Sequence, residues 1–261
     1  MLKTLLVTAF ILIPIMLGSV YVGGLAFLIL VGTALLIAGY ELFQMTRQAG
    51  HQPHTPIGLV LIAALLVDAY LQTQMAQVAV TIAVILMLLV GIFSPKPGWL
   101  ASWGITLAGA LYVGWLGTYF ILVRALPNGM LWTTAALVTA WLTDTGAYLA
   151  GTRLGRHQFF PLISPRKTWE GALGGWIAAP LTTVAVGLIL GLPLIHCAIL
   201  GFSIGIAATF GDLAESLLKR QTGVKDSSNL VPGHGGMLDR IDSLLFTAVV
   251  TFYYLTWFVH A

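Results

Sequence analysis

The acidic residues of this chain are few and unevenly placed. There are nine Asp and Glu in 261 residues, and apart from Glu41 and Asp68 they all come late, as Asp144, Glu170, Asp212, Glu215, Asp226, Asp239 and Asp242. Lysines and arginines accompany them, as Arg166-Lys167, Lys219-Arg220, Lys225 and Arg240. Carboxylates are hard oxygen donors for a divalent cation, and Lys and Arg offer fixed positive charge to phosphates. Mixed clusters of this kind hold the ingredients of a magnesium-bound polyphosphate site.

Spacing sharpens that reading. Asp212, Glu215, Ser216 and Lys219 follow i, i+3, i+4 and i+7, so a helix continuing to Lys219 carries them as one polar stripe. Half of the stripe also reads as a surface ion pair between Glu215 and Lys219. Asp212, preceded by Gly211 and deeper in an apolar run, is harder to dismiss. Asp239 and Asp242 stand three apart at the start of the last apolar run and can share a helix face, where the helix dipole also favours acids. Between these groups, Gly233, Gly235 and Gly236 surround His234. Glycines let backbone amides approach a phosphate closely, and His234 fits loop fixing or phosphate contact better than proton transfer. The stretch from Ser164 to Gly171 places Arg166 and Lys167 between the hydroxyls of Ser164 and Thr168, just before Glu170 and an apolar helix. On composition alone it is a positive anchor whose Ser and Thr cap that helix. Asp144, within Trp141-Leu142-Thr143-Asp144-Thr145-Gly146, is balanced between a buried carboxyl bonded to neighbouring hydroxyls and a place at the site. Glu41 and Asp68 lie near the ends of apolar runs, where snorkelling or capping is expected.

The elements that must position these residues are membrane spans. The chain is 58% hydrophobic and only 8% charged, with a mean hydropathy of +0.94, against about 25% charged residues in a soluble domain. A helix needs about 20 apolar residues to cross the hydrocarbon. The apolar runs predict an all-α polytopic membrane protein of about nine transmembrane helices. They lie near 4–21, 22–44, 56–71, 76–93, 100–122, 130–151, 170–191, 193–218 and 241–260. Gly18, Gly23 and Gly24 give only a weak break between the first two. Lys3 followed by an apolar stretch also resembles a signal peptide, but no convincing small-residue cleavage site follows, so a retained first helix is expected. No linker, long charged run or internal repeat divides residues 1–261, which read as a single integral membrane domain. Cys197 is alone, which excludes an intrachain disulfide and a cysteine-based metal site.

Ionisable residues at membrane depth cost at least ~2.5–3.5 kcal/mol each, so they usually face a polar cavity. With nine spans, one side collects Lys3, Arg47, Lys96, Arg153, Arg156, Arg166, Lys167, Lys219, Arg220, Lys225 and Arg240, and the other keeps Arg124. Cytoplasmic loops carry such an excess, so the N-terminus is expected inside and the C-terminus outside. The net charge of +3 sits in short connections, which fits an anionic membrane surface or phosphate-bearing substrates and not nucleic acid.

From Ser216 to Asp242 the chain reads SLLKRQTGVKDSSNLVPGHGGMLDRID. This closely resembles the signature of the CDP-diacylglycerol synthase (phosphatidate cytidylyltransferase) family, S-x-x-K-R-x4-K-D-x5-[PG]-x-H-G-G-x-x-D-R-x-D. Ser164 to Gly171 resembles the family's second block, so residues 164–242 carry both motifs. The resemblance implies a multi-pass inner-membrane enzyme that joins CTP to phosphatidic acid, needs Mg²⁺ and forms a homodimer; the loop charges put its active site on the cytoplasmic side. It makes Asp212 and Asp239 the metal ligands, with Asp242 and Asp144 supporting them or binding a second cation. Lys219, Arg220, Lys225 and Arg240 would hold phosphates, and Ser164, Arg166, Lys167 and Thr168 would line the same cavity. By motif position Asp226 and His234 join the catalytic set, and Glu170, Ser216, Gly235 and Gly236 the substrate-binding set.

A phosphate monoester is already an anionic nucleophile, so attack on the α-phosphorus of CTP needs alignment and charge neutralisation more than a general base. The lipid is expected to enter sideways between helices. Two other classes compete. A cation-coupled transporter would also carry acids within spans, but transporters tend to show repeated halves and midplane sites. A CDP-alcohol phosphotransferase would need spaced aspartates beginning with Asp-Gly, which are missing. An archaeal-lipid cytidylyltransferase would share the nucleotide site.

Overall fold

The structure, a computed structural model, describes residues 2–228, 230 and 235–260, with side chains described at residue 10 and from residue 12 onward. Among these residues the chain forms nine helical rods: α1 (Leu2–Val22), α2 (Gly24–Gln48), α3 (Thr55–Leu71), α4 (Ala76–Phe93), α5 (Trp99–Ala125), α6 (Gly129–Leu154), α7 (Trp169–Leu190), α8 (Leu194–Gln221) and α9 (Leu238–Val259). Helix α5 contains a π-helical turn at Leu111–Trp115, and α9 ends in one at Leu255–Val259. The rods fall within a few residues of the expected spans. Six of them, α2, α4, α5, α7, α8 and α9, are long and apolar enough to cross a membrane by length and composition. Helix α4 shows why this is a membrane fold: it is apolar all round, yet only Ala83 and Met87 are buried. Such a surface belongs in hydrocarbon. The protein is a multi-pass, all-α membrane protein.

The breaks between rods follow local chemistry. The weak break between the first two spans is a single residue, Gly23, with φ of 68°, a left-handed value that glycine adopts without a Cβ penalty. Helix α7 ends at Gly191 with φ of 70°, its N–H donating to the Gly187 carbonyl, and Pro193 precedes α8. One element was not expected. Strands β1 (Gln158–Phe160) and β2 (Ser164–Thr168) form an antiparallel pair with Gln158 opposite Thr168 and Phe160 opposite Ser164.

The chain divides into two compact units, one of residues 1–122 and 221–240 and the other of 123–220 and 241–261. In the first unit, α2 and α3 meet where Gly39 approaches Ile62 and Gly58 approaches the Phe43 ring. The loop after α2 is pinned to α5, with Gln52 N–H donating to Ser102 Oγ at 3.2 Å and His54 N–H to Thr106 Oγ1 at 2.8 Å. Asp68 caps the approach to α4, as expected, accepting from Thr73 Oγ1 at 2.5 Å and from the amides of Met75 and Ala76 at 2.7 and 3.1 Å.

In the second unit, α6 and α7 lie nearly backbone to backbone. A Cβ on Gly146 would stand 2.6 Å from the Ala178 methyl, and one on Gly171 would stand 3.0 Å from the Ala147 carbonyl. Small residues allow this approach, which favours van der Waals contact where lipid supplies no hydrophobic drive. A hydroxyl pair, Thr139 and Thr183 at 2.9 Å, ties the same two helices. Gly201 and Gly205 let α8 approach Ala179 and Pro180 of α7 in the same manner.

Candidate active site

Helix α8 continues through Lys219 to Gln221, so Asp212, Glu215, Ser216 and Lys219 form the predicted stripe. The Glu215–Lys219 pair is present, but it is not a surface pair. Glu215 has 0% exposure and the Lys219 side chain 12%, so this ion pair is part of the interior. Asp212 is 36% exposed, and its Oδ2 stands 2.7 Å from Lys167 Nζ. The Ser216 hydroxyl lies 3.4 Å from Asp212 Oδ1.

Lys167 reaches Asp212 because the hairpin is locked in place. Phe159 of β1 is buried with Ala172 and Leu213, against Ile163 and Trp176, and stacks edge-on to Trp169 with centroids 4.3 Å apart. Trp176 Nε1 donates to Thr209 Oγ1 at 3.1 Å, joining α7 to α8. Arg220 Nε donates to the Ile163 carbonyl at 3.2 Å. Glu170 accepts from the Arg156 and His157 amides at 3.1 and 3.3 Å and meets His157 Nδ1 at 2.6 Å. Thr168 caps α7 as expected, its hydroxyl accepting from Gly171 N–H at 3.1 Å. Arg166 is exposed and Ser164 half-buried beside it.

Asp242 is brought to the stripe by a missing side chain. A Cβ on Gly211 would stand 2.7 Å from the Asp242 carbonyl oxygen and 3.0 Å from Ser243 Cα. Asp242 itself is 8% exposed, and its Oδ1 accepts from the Ser243 amide at 2.7 Å. Asp212, Glu215 and Asp144 all lie within electrostatic reach of it. Asp144 is exposed on α6 and not the buried carboxyl that one reading allowed. The second unit therefore gathers four acids with Lys167 and Lys219.

Asp239 belongs to the first unit. Its Oδ2 accepts from Ser227 N–H at 2.9 Å, from Ser227 Oγ at 2.7 Å and from Gly236 N–H at 2.8 Å. Gly235 has φ of 78°, and a Cβ there would stand 2.7 Å from Asp239 Oδ2. These glycines do bring backbone close to an anion, but the anion described here is the protein's own carboxylate. Lys225, Asp226 and Arg240 are exposed. His234 lies outside the described residues.

Glu41, expected to snorkel or cap, caps a distant helix from the interior and does not snorkel. It is 4% exposed on α2 and accepts hydrogen bonds from Ser227, Ser228, Met237 and Leu238. The signal available was its cost, since a carboxylate inside an apolar helix needs donors that its own helix cannot supply.

Among the described residues no three Asp, Glu, His or Cys side chains already converge on a metal position. The donor chemistry nevertheless fits a hard divalent cation: Asp212 and Asp242 offer carboxylate oxygens on neighbouring helices, brought together by the Gly211 contact, and Asp212 already holds a cationic group, the Lys167 ammonium, at 2.7 Å.

Fold and site together define a multi-pass integral membrane protein that holds acids and bases inside its helical layers. The chain belongs to the cytidylyltransferase family, whose model matches residues 3–258. It is 33% identical to a phosphatidate cytidylyltransferase of Synechocystis, covering 96% of this chain and 95% of that protein. Identity is 34% to the Bacillus subtilis protein of that name, over 92% of each chain. It is 36% to that of Pseudomonas aeruginosa, over 98% of this chain and 97% of the relative. Membership sets aside the transporter and the CDP-alcohol phosphotransferase.

Proposed function

We propose that this protein transfers the cytidylyl group of CTP to phosphatidic acid, forming CDP-diacylglycerol and pyrophosphate. The observation that carries the reading is the buried Asp242 beside the Asp212–Lys167 pair, within a signature that runs unbroken from Ser216 to Asp242. A phosphate oxygen of the lipid attacks the α-phosphorus of CTP, and the bond from that phosphorus to the oxygen bridging the β-phosphate breaks. No proton need leave the nucleophile. The protein's work is to align two polyanions and offset their charge.

By the family resemblance, Asp212, Asp239 and Asp242 would hold Mg²⁺, with Asp144 supporting them or a second cation. When bound, Mg²⁺ supplies Lewis-acid neutralisation of the triphosphate. Lys167, held 2.7 Å from Asp212, would offer its ammonium to a phosphate of the substrate bound beside that acid. Lys219, Arg220, Lys225 and Arg240 supply further positive charge for the lipid phosphate and the departing pyrophosphate, and Ser164, Arg166, Thr168 and Ser216 line the approach. The charge asymmetry of the loops supports a cytoplasmic site, the bacterial relatives support an inner membrane with bilayer lipid as the source of substrate, and the family resemblance suggests a homodimer as the working form.

The test follows lipid-extractable label from α-labelled CTP with protein purified in detergent, with and without phosphatidic acid and Mg²⁺, beside Asp242→Asn. Label should enter lipid only when both are present and should fall by at least about 100-fold in the variant, a loss typical of removing a transition-state charge partner. Label transfer by Asp242→Asn at the parent rate would remove this acid from the site.

A further inference from the structure

We infer that Glu41 is a positioning residue for the reaction: it clasps the two ends of the signature loop and, through the Ser227 hydroxyl, sets the Asp239 carboxylate. The inference rests on the reading above in which Asp239 serves catalysis.

The geometry within the first unit is fully reciprocal. Oε1 of Glu41 accepts from Ser228 Oγ at 2.5 Å and Met237 N–H at 3.0 Å, and Oε2 accepts from Ser227 Oγ at 3.1 Å and Leu238 N–H at 2.8 Å. Each oxygen therefore takes one hydroxyl from the loop's entry and one amide from its exit. The exit amides stand at the start of α9, among the groups that a helix leaves without intrahelical partners, and a carboxylate there is also favoured by the helix dipole. Burying an acid at 4% exposure is unfavourable unless its lone pairs are met, and here three donors of its own, Ser228 Oγ and the amides of Met237 and Leu238, meet them together with the Ser227 hydroxyl that it shares with Asp239. Gly236 completes the fit, because a Cβ at that position would stand 2.6 Å from both Glu41 oxygens and closer still to Ser227 Oγ.

Ser227 links this clasp to Asp239. Its hydroxyl oxygen lies 3.1 Å from Glu41 Oε2 and 2.7 Å from Asp239 Oδ2. A serine has one hydroxyl proton, so it donates to one carboxylate at a time. Glu41 thus fixes where Ser227 sits while Ser227 N–H and Gly236 N–H orient Asp239. Partners that orient a reacting carboxylate in this way typically contribute about 10- to 100-fold in activity.

The experiment is a double-mutant cycle on the full chain in detergent, comparing Glu41→Gln, Asp239→Asn and the double variant by kcat, KM for CTP, direct CTP binding and thermal midpoint. Glutamine keeps the size of Glu41 but turns one oxygen into an NH₂ group that faces donors. Glu41→Gln should lower kcat by about 10- to 100-fold, leave CTP binding within about threefold and add nothing to the loss in Asp239→Asn, because both act on one group. Full kcat in Glu41→Gln with Asp239→Asn inactive overturns the inference and leaves the reaction assignment standing. Full kcat in Asp239→Asn defeats the role of Asp239, and the inference with it. If Glu41→Gln does not fold, Ser227→Ala replaces it, removing the linking hydroxyl and no charge. A normal kcat in Ser227→Ala would overturn the coupling, and a loss with unchanged thermal midpoint would sustain it.

Discussion

Glu215 and Asp212 sit one turn apart on α8, each beside a lysine, yet burial gives the two pairs opposite character. The Glu215–Lys219 pair is interior, with Glu215 at 0% exposure. Removing one partner of a buried pair leaves an uncompensated charge and costs about 3–5 kcal/mol. Lys219→Met should therefore lower the thermal midpoint in detergent markedly, and adding Glu215→Gln should recover most of the loss without recovering activity. That split would separate the structural from the phosphate-binding part of Lys219. The Asp212–Lys167 pair, with side chains 36% and 26% exposed, is largely screened, and such pairs contribute about 0–1 kcal/mol. Lys167→Met should leave the thermal midpoint nearly unchanged while transfer falls by at least about tenfold, as expected on losing a phosphate clamp. A large drop in stability would mean that Lys167 chiefly braces the hairpin.

Between elements, the decisive contact is the one glycine permits between α8 and α9. Gly211→Ala improves helix propensity by about 1 kcal/mol but puts a methyl 2.7 Å from the Asp242 carbonyl oxygen, and backbone cannot swing aside as a side-chain tip can. Overpacking of this kind costs about 1–3 kcal/mol. Label transfer should fall in Gly211→Ala more than stability does, because the shifted backbone carries Asp242. Gly104→Ala, where nothing lies within 4 Å, is the matched control and should be neutral or slightly stabilising. Sequence periodicity carries within-helix facts well: the rods, the stripe from Asp212 to Lys219 and the Thr168 cap are all consequences of hydropathy or of spacing along one chain segment. It does not carry contacts such as that of Glu41 with Ser227 or Leu238, 186 and 197 residues away. Nor does it carry the hairpin, since Ser-Pro-Arg-Lys-Thr has no strand character of its own and is held by Phe159, Glu170 and Arg220.

At the scale of the whole chain, charge and span count constrain each other. The lopsided distribution of Lys and Arg exists only if each rod crosses the membrane, and a rod that failed to cross would scramble the alternation for every loop after it. Helix α3 is where this is most exposed to test. It has 17 residues, about 25 Å at 1.5 Å per residue, against a hydrocarbon core of about 30 Å. It falls outside the six helices that qualify by length and composition. A mismatch of about 5 Å is tolerated by local thinning of the bilayer at a modest cost, so α3 should still cross. The loop between α3 and α4 carries no Lys or Arg, and Gln74 within it is exposed. With Cys197, which is buried at 0% exposure, replaced by Ala, the single substitution Gln74→Cys should react with an impermeant maleimide in intact cells. Arg47→Cys and Arg166→Cys should react only in inside-out vesicles. If Gln74→Cys reacted from the same side as Arg47→Cys, α3 would be re-entrant, α4 would run in the opposite sense, and the placement of both motif blocks on the cytoplasmic side would require one further non-crossing rod before Ser164.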